Sequence, residues 1–175
     1  MNVSVKGAVA GAALMLAGAM TTAQAQATPA TASITATAEV QQALTASPVQ
    51  DLDFGATFGG IARTVNPTDV TSGEVALQGA SDAEVTVTFT TLPATLTGPG
   101  TAIPLTYGAT AAAYSAAGTR AGATTFDPSA GSTTRLSNTT GLLSIYLGGT
   151  VTPAASQTAG TYSSTVNLSA AYTGN

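Results

Sequence analysis

Hydrophobic and polar positions alternate along much of this chain with a period of two, and the clearest run is the last. From Tyr162, every second side chain is Tyr162, Ser164, Val166, Leu168, Ala170 and Tyr172, while Ser163, Thr165, Asn167 and Ser169 occupy the opposite face. Successive side chains of a strand point to opposite faces, so the pattern predicts one long half-buried strand with an aromatic at each end. A second run covers residues 28–40. Ala30, Ala32, Ile34, Ala36, Ala38 and Val40 share one face there, and Thr31, Ser33, Thr35, Thr37 and Glu39 share the other. Its inward side chains are small, which suits a strand that slides shallowly into a groove.

Between these runs the spacing predicts further strands. Residues 84–92 place Val85, Val87 and Phe89 on one face, residues 74–78 sit between glycines, and residues 142–151 are apolar enough to be central. Gly148-Gly149 inside that last stretch reads as a bulge. Shorter strands are expected at 42–46, 49–55, 61–65, 94–97, 103–107 and 109–116, and residues 118–138 read as a long loop or irregular hairpin. Asn66-Pro67 and Asp127-Pro128 mark turns. Roughly eight to ten strands, with turn signals about every 8–12 residues and no helical period, predict an all-β antiparallel sandwich. A closed barrel is the alternative. A transmembrane barrel is disfavoured, because the apolar faces are small and aromatic girdles are lacking.

The start of the chain differs. Lys6 precedes an apolar stretch over residues 7–20, and two overlapping A-x-A sites end at Ala25 and Ala27. This is the order of a cleaved signal peptide, and the stretch falls short of the ~20 apolar residues that span a bilayer. No later stretch resembles a membrane span. The expected organisation is a signal peptide over 1–25, an N-terminal extension or donor-like strand over 26–40, and a β-sandwich domain over 41–175. The destination is the periplasm, cell surface or exterior.

Composition narrows the chemistry. The chain has no His, no Cys and no Trp, and its one Lys lies in the signal segment. Without these residues a serine nucleophile lacks its usual base, and zinc loses its favoured ligands. We therefore expect no enzyme activity and no cofactor or metal. Charged residues make up 7% of the chain, and the net charge is −4. Thr and Ser fill the outward positions instead, which suits strands. An acidic surface without a basic patch argues against nucleic acid as a partner. Asp51 and Asp53 fall on one side of an expected strand and could offer oxygen ligands to calcium, or simply be solvated. The same question applies to Asp82 and Glu84. Asp69 and Glu74 flank a turn and are expected to cap or solvate it. The five tyrosines could form a sugar-binding strip, or be core and edge aromatics.

Three pieces together carry a resemblance. They are the first alternating run leading to Leu52-Asp53-Phe54-Gly55, the stretch Gly73-Glu74-Val75-Ala76-Leu77-Gln78-Gly79, and Ala159-Gly160-Thr161-Tyr162 before the last run. With these the chain resembles the exported bacterial proteins grouped as domain-of-unknown-function family 4402, which in turn look like spore-coat-U type and archaic chaperone–usher pilin subunits. The resemblance implies an immunoglobulin-like, pilin-like sandwich with a fimbrial or surface role in a Gram-negative bacterium. The absence of Cys departs from the spore-coat-U pattern, whose usual disulfide cannot form here.

Two functions follow as expectations. One is a structural subunit assembling by β-strand donation. Ala30, Ala32, Ile34, Ala36, Ala38 and Val40 would form the donor face. Tyr162, Val166, Leu168 and Tyr172 would lie where another copy or a periplasmic chaperone or usher pairs. The other is a monomeric adhesin or matrix-binding module that recognises sugar or protein through loops such as 118–138. Export is checked by the intact mass of the exported protein, which should begin at Gln26 or Thr28; a mass that still contains Lys6 would contradict the signal assignment.

Overall fold

A computed structural model describes residues 30–38, 40 and 42–174. The expected signal peptide, and residues 28, 29 and 39 of the first alternating run, lie outside the described residues. The chain divides into two units, Met1–Ala38 and Glu39–Asn175. In the first, residues 30–38 carry no strand and are exposed throughout, with Ile34 96% exposed. This corrects the strand expected there. An alternating sequence becomes a strand only with a ladder partner, and residues 30–38 pair with no strand among the described residues.

The second unit is all-β. Among the described residues it has twelve strands and no helix. A five-stranded antiparallel sheet holds β1 (Thr45–Gln50), β3 (Gly73–Gln78), β10 (Leu142–Leu147), β7 (Ala112–Ser115) and β8 (Thr124–Phe126) in that order. A three-stranded antiparallel sheet orders β12 (Asn167–Tyr172), β4 (Glu84–Thr91) and β9 (Ser132–Arg135). A four-stranded antiparallel sheet orders β2 (Arg63–Val65), β11 (Gly149–Val151), β6 (Ile103–Thr106) and β5 (Thr95–Leu96). The sheets do not close into a barrel. No helix among the described residues is long and apolar enough to cross a membrane.

The core follows from the alternation. Val85 and Val87 of β4 are fully buried, and so are Leu77 of β3 and Leu143 of β10; they form one cluster with Leu136 and Ile145. This cluster draws on the five-stranded and three-stranded sheets together, as in a sandwich. Phe89 and Phe126 stack at 6.3 Å beside it. A second cluster, Phe54, Val65, Ile103, Leu105 and Val151, belongs to the four-stranded sheet and the coil before β2.

Several boundaries differ from the sequence expectation, each for a physical reason. β1 runs through Pro48 instead of stopping there, because an edge strand tolerates a missing N–H; its register shifts between Pro48 and Gln50. Residues 51–55 are coil. The expected bulge at Gly148-Gly149 is a change of sheet: β10 lies in the five-stranded sheet and β11 in the four-stranded one. A Cβ at Gly148 would fall on the Val65 carbonyl and come within 3.0 Å of the Pro67 nitrogen, so only glycine fits the crossing. The long loop over 118–138 instead contains β8 and β9, which join different sheets. These strands are short and threonine-rich, with too few apolar residues to reveal a period. The turn at Asp127-Pro128 is present. There the Ser129 hydroxyl donates to the Asp127 carboxylate at 2.6 Å and, with the Ser129 N–H, holds that carboxyl below its ordinary range.

Val87→Asp should abolish soluble accumulation. A buried unpaired carboxylate costs several kcal/mol, comparable with the roughly 5–15 kcal/mol that holds a domain together. Leu168→Asp should cost less, since Leu168 is only half-buried. Melting temperatures check the order, and equal losses would contradict it.

Candidate functional site

Two strands end their sheets facing the same space. Among the described residues β1 pairs only with β3, and β12 pairs only with β4. Near one end of both, the Tyr172 hydroxyl donates to the Gln42 carbonyl at 2.8 Å. Toward the other end, Tyr162 and Leu52 each pack against the Phe54 cluster. The two edges pass in opposite directions, and a cavity of about 680 Å³ touches Pro48 and Gln50 at the end of β1 and Leu168 at the start of β12, with the coils over 51–57 and 160–166 as its adjoining walls. Val75, Phe89, Leu105, Ile145 and Leu168 give it apolar lining, and Thr57, Ser163, Ser164 and Thr165 give it polar lining in comparable measure. Asp51, Asp53 and Glu74 stand among its lining residues.

The last alternating run forms one wall, though not as one strand. Its first half leaves β12 and lies beside β5. There Thr97 and Ser163 exchange backbone hydrogen bonds at 2.9 Å in both directions, and the Ser164 hydroxyl donates to the Thr95 carbonyl at 2.6 Å. A register shift between Asn167 and Leu168 separates this half from β12. The period of two survives the break except at Ser164, which is exposed: Tyr162, Val166, Leu168, Ala170 and Tyr172 are half-buried, and Ser163, Thr165, Asn167 and Ser169 are exposed. Tyr162, Val166 and Leu168 line the cavity. Tyr172 lies beyond it, and the lining reaches no further than Leu168 and Pro48 on that side. Ala30, Ala32, Ile34, Ala36, Ala38 and Val40 are exposed.

Glycines seat both terminal tyrosines. A Cβ at Gly79 would fall on the Tyr172 hydroxyl, which also accepts the Ala80 N–H at 2.8 Å. A Cβ at Gly98 would sit 2.6 Å from a Tyr162 ring carbon. The Tyr162 hydroxyl donates to the Thr158 carbonyl at 2.9 Å and accepts from the Gln157 amide at 2.7 Å. The tyrosines do not form a common strip. Tyr146 is fully buried, Tyr114 packs at 6.0 Å against Phe126, and burial pushes the Tyr107 phenol up to about 12.

The carboxylates have local roles. Asp51 and Asp53 sit in coil, so no strand face aligns them, and Asp53 accepts its own Gly55 N–H at 2.7 Å. Asp69 caps its turn, accepting the Asn66 N–H at 2.7 Å. Asp82 and Glu84 lie 3.7 and 3.9 Å from Arg135 instead of being merely solvated. Glu74 does not cap the turn as expected: it pairs with Arg120 at 2.9 Å.

Arg120 is the residue that sequence reasoning missed. From the β7–β8 connection its guanidinium lies 4.8 Å from the Tyr146 ring of β10, and it reaches Ser72 at 3.2 Å and Gln50 at 3.4 Å. It thus straps the outer face of the five-stranded sheet across to the end of β1, one wall of the groove. The available signal was its rarity, since only Arg63, Arg120 and Arg135 supply cations after Lys6.

No family model matches the chain, and no curated protein matches it. The family resemblance rests on the quoted residues alone.

Arg120→Met keeps the aliphatic stem but leaves Glu74 unpaired with its side chain only 13% exposed. The expected loss is about 1–3 kcal/mol, less than for a fully buried pair. Adding Glu74→Gln should recover part of it. Urea melts of the single and double variants read this, and no loss in the single variant would show that the strap holds nothing.

Proposed function

We propose that this chain is an exported structural subunit that assembles by β-strand donation, within an immunoglobulin-like, pilin-like fold. The groove between β1 and β12 takes residues 30–40 of another copy. One observation carries the reading: β1 and β12 each lack a second partner among the described residues, and a cavity with Val75, Phe89 and Ile145 in its lining opens beside Gln50 of the one and Leu168 of the other. A strand laid between them would satisfy backbone groups on both sides at once.

The donor chemistry fits this groove. Ala30, Ala32, Ala36 and Ala38 are small enough to lie shallowly over a floor already furnished with Val75, Phe89 and Leu168. Ile34 and Val40 supply the larger apolar contacts, and both are more than nine-tenths exposed before assembly. Large apolar side chains left in water beside an unpaired segment mark an interaction site. The alternation fixes register, because a one-residue slip would turn threonines into the floor. The β12 edge is also where a periplasmic chaperone would pair before assembly. The monomeric binding module drew on a loop over 118–138; that stretch carries β8 and β9, and no particular feature favours it.

Ile34→Asp provides the test. Ile34 is exposed in the single copy, so the change should leave monomer melting unaltered while blocking assembly. Light scattering and electron microscopy of the mature chain should show ladders or filaments for the wild type and monomers for the variant. A strictly monomeric wild type, or a variant that assembles equally well, would contradict strand donation.

A further inference from the structure

Eight of the chain's nine aromatic residues are buried or half-buried, and Phe58 is the exception at 71% exposure. Three residues later Ile61 is 61% exposed. Both belong to one tight turn. The Ile61 N–H donates to the Phe58 carbonyl at 3.1 Å, and Gly60, the third residue, has a φ of 77°. These are the marks of a type II turn, whose first and last residues lie within about 7 Å of each other. Phe58 and Ile61 take no part in the cavity lining and join neither core cluster.

The turn is braced against the segment that follows β11. The Gly60 N–H donates to the Pro153 carbonyl at 2.9 Å. A Cβ at Gly59 would lie 2.7 Å from the Ala155 carbonyl oxygen and 2.8 Å from that of Ala154, so only glycine lets the turn sit this close. Two glycines thus hold two large apolar side chains in water, which marks an interaction site. The Gly60 and Ile61 amides already have protein partners, so apolar surroundings would not leave these donors unsatisfied.

Area and charge select the partner. Two such side chains offer on the order of 200–300 Å², whereas a stable protein interface takes about 800 Å² from each side. An exposed turn of this size suits insertion among lipid headgroups, where an apolar tip needs no matching cavity. Residues 54–68 contain no carboxylate, and Arg63 is their one charge. Arg63 opens β2 two residues after the turn, is exposed, and forms no ion pair among the described residues. A Cβ at Gly55 would sit 4.0 Å from its guanidinium, and the nearby Asp53 carboxylate accepts the Gly55 N–H. Residues 136–175, which include the bracing segment, carry no charge at all. The acidic balance of the chain therefore lies away from this turn.

We propose that residues 58–61 form a lipid-contacting tip, in which Phe58 and Ile61 enter an anionic phospholipid surface and Arg63 meets its phosphates. The site is separate from the groove and does not depend on strand donation.

The test uses the mature chain. It has no Trp of its own, so Phe58→Trp places a single indole on the turn. The probe is vesicles of equal parts phosphatidylcholine and phosphatidylglycerol, and bound protein is read by flotation, because assemblies without lipid sink. The vesicles should shift the indole emission to the blue, and lipids brominated in their acyl chains should quench it. Ile61→Ser should lower partitioning about tenfold, the order expected when one large aliphatic side chain loses its burial. Arg63→Gln should lower it about fivefold on these vesicles and leave it unchanged on phosphatidylcholine alone. All three positions are exposed, so the variants should melt with the wild type. No blue shift and no quenching at any lipid concentration would overturn the proposal, as would flotation that Ile61→Ser leaves unaltered. A blue shift that grows with protein concentration and needs no lipid would assign the turn to a second copy, and overturns the proposal equally. Equal binding of wild type and Arg63→Gln to the anionic vesicles would contradict the phosphate contact.

Discussion

A backbone N–H or C=O at a sheet edge needs a partner, and among the described residues β1 and β12 each present one such edge beside a cavity lined by both apolar and polar residues. Much of the arrangement serves that juxtaposition. β1 is held from outside by β3 and by Arg120, whose guanidinium reaches from the β7–β8 connection to Gln50. β12 is held by β4, and Tyr172 at its end and Tyr162 at the start of the coil leading into it are each seated against a glycine. The floor comes from both core clusters, so the groove is continuous with the packing that stabilises the domain.

The sequence made the strand content and the faces legible. Val85, Val87 and Leu168 fall on the buried or half-buried side that the period of two assigns, because burial and alternation are the same fact seen at two scales. The terminal tyrosines were visible as an aromatic at each end of one run. Their anchors were not, since Gln42, Ala80, Gln157 and Thr158 are joined to them only by the folded chain. The groove was illegible for the same reason: strands distant in sequence have to be placed before a gap between them exists.

The errors share a cause. Proline suggested a break at Pro48, yet an edge strand has no ladder to lose on its open side. Gly148-Gly149 suggested a bulge where the chain changes sheets, because both need a residue without a side chain. Residues 118–138 were too polar to reveal β8 and β9, and Arg120 was hidden within them. Local signals identify what a residue can do; which sheet it joins is decided by partners that sequence spacing does not name.

The central claim is that the space between β1 and β12 belongs to residues 30–40 of another copy. It is tested most directly by solid-state NMR on assemblies grown from an equal mixture of separately labelled copies, one carrying ¹³C and the other ¹⁵N. Contacts between the Ile34 region of one label and the Val166–Leu168 region of the other are the predicted result. Assemblies that show these contacts only within one label, or that leave the β12 edge without a new backbone partner, would contradict the account.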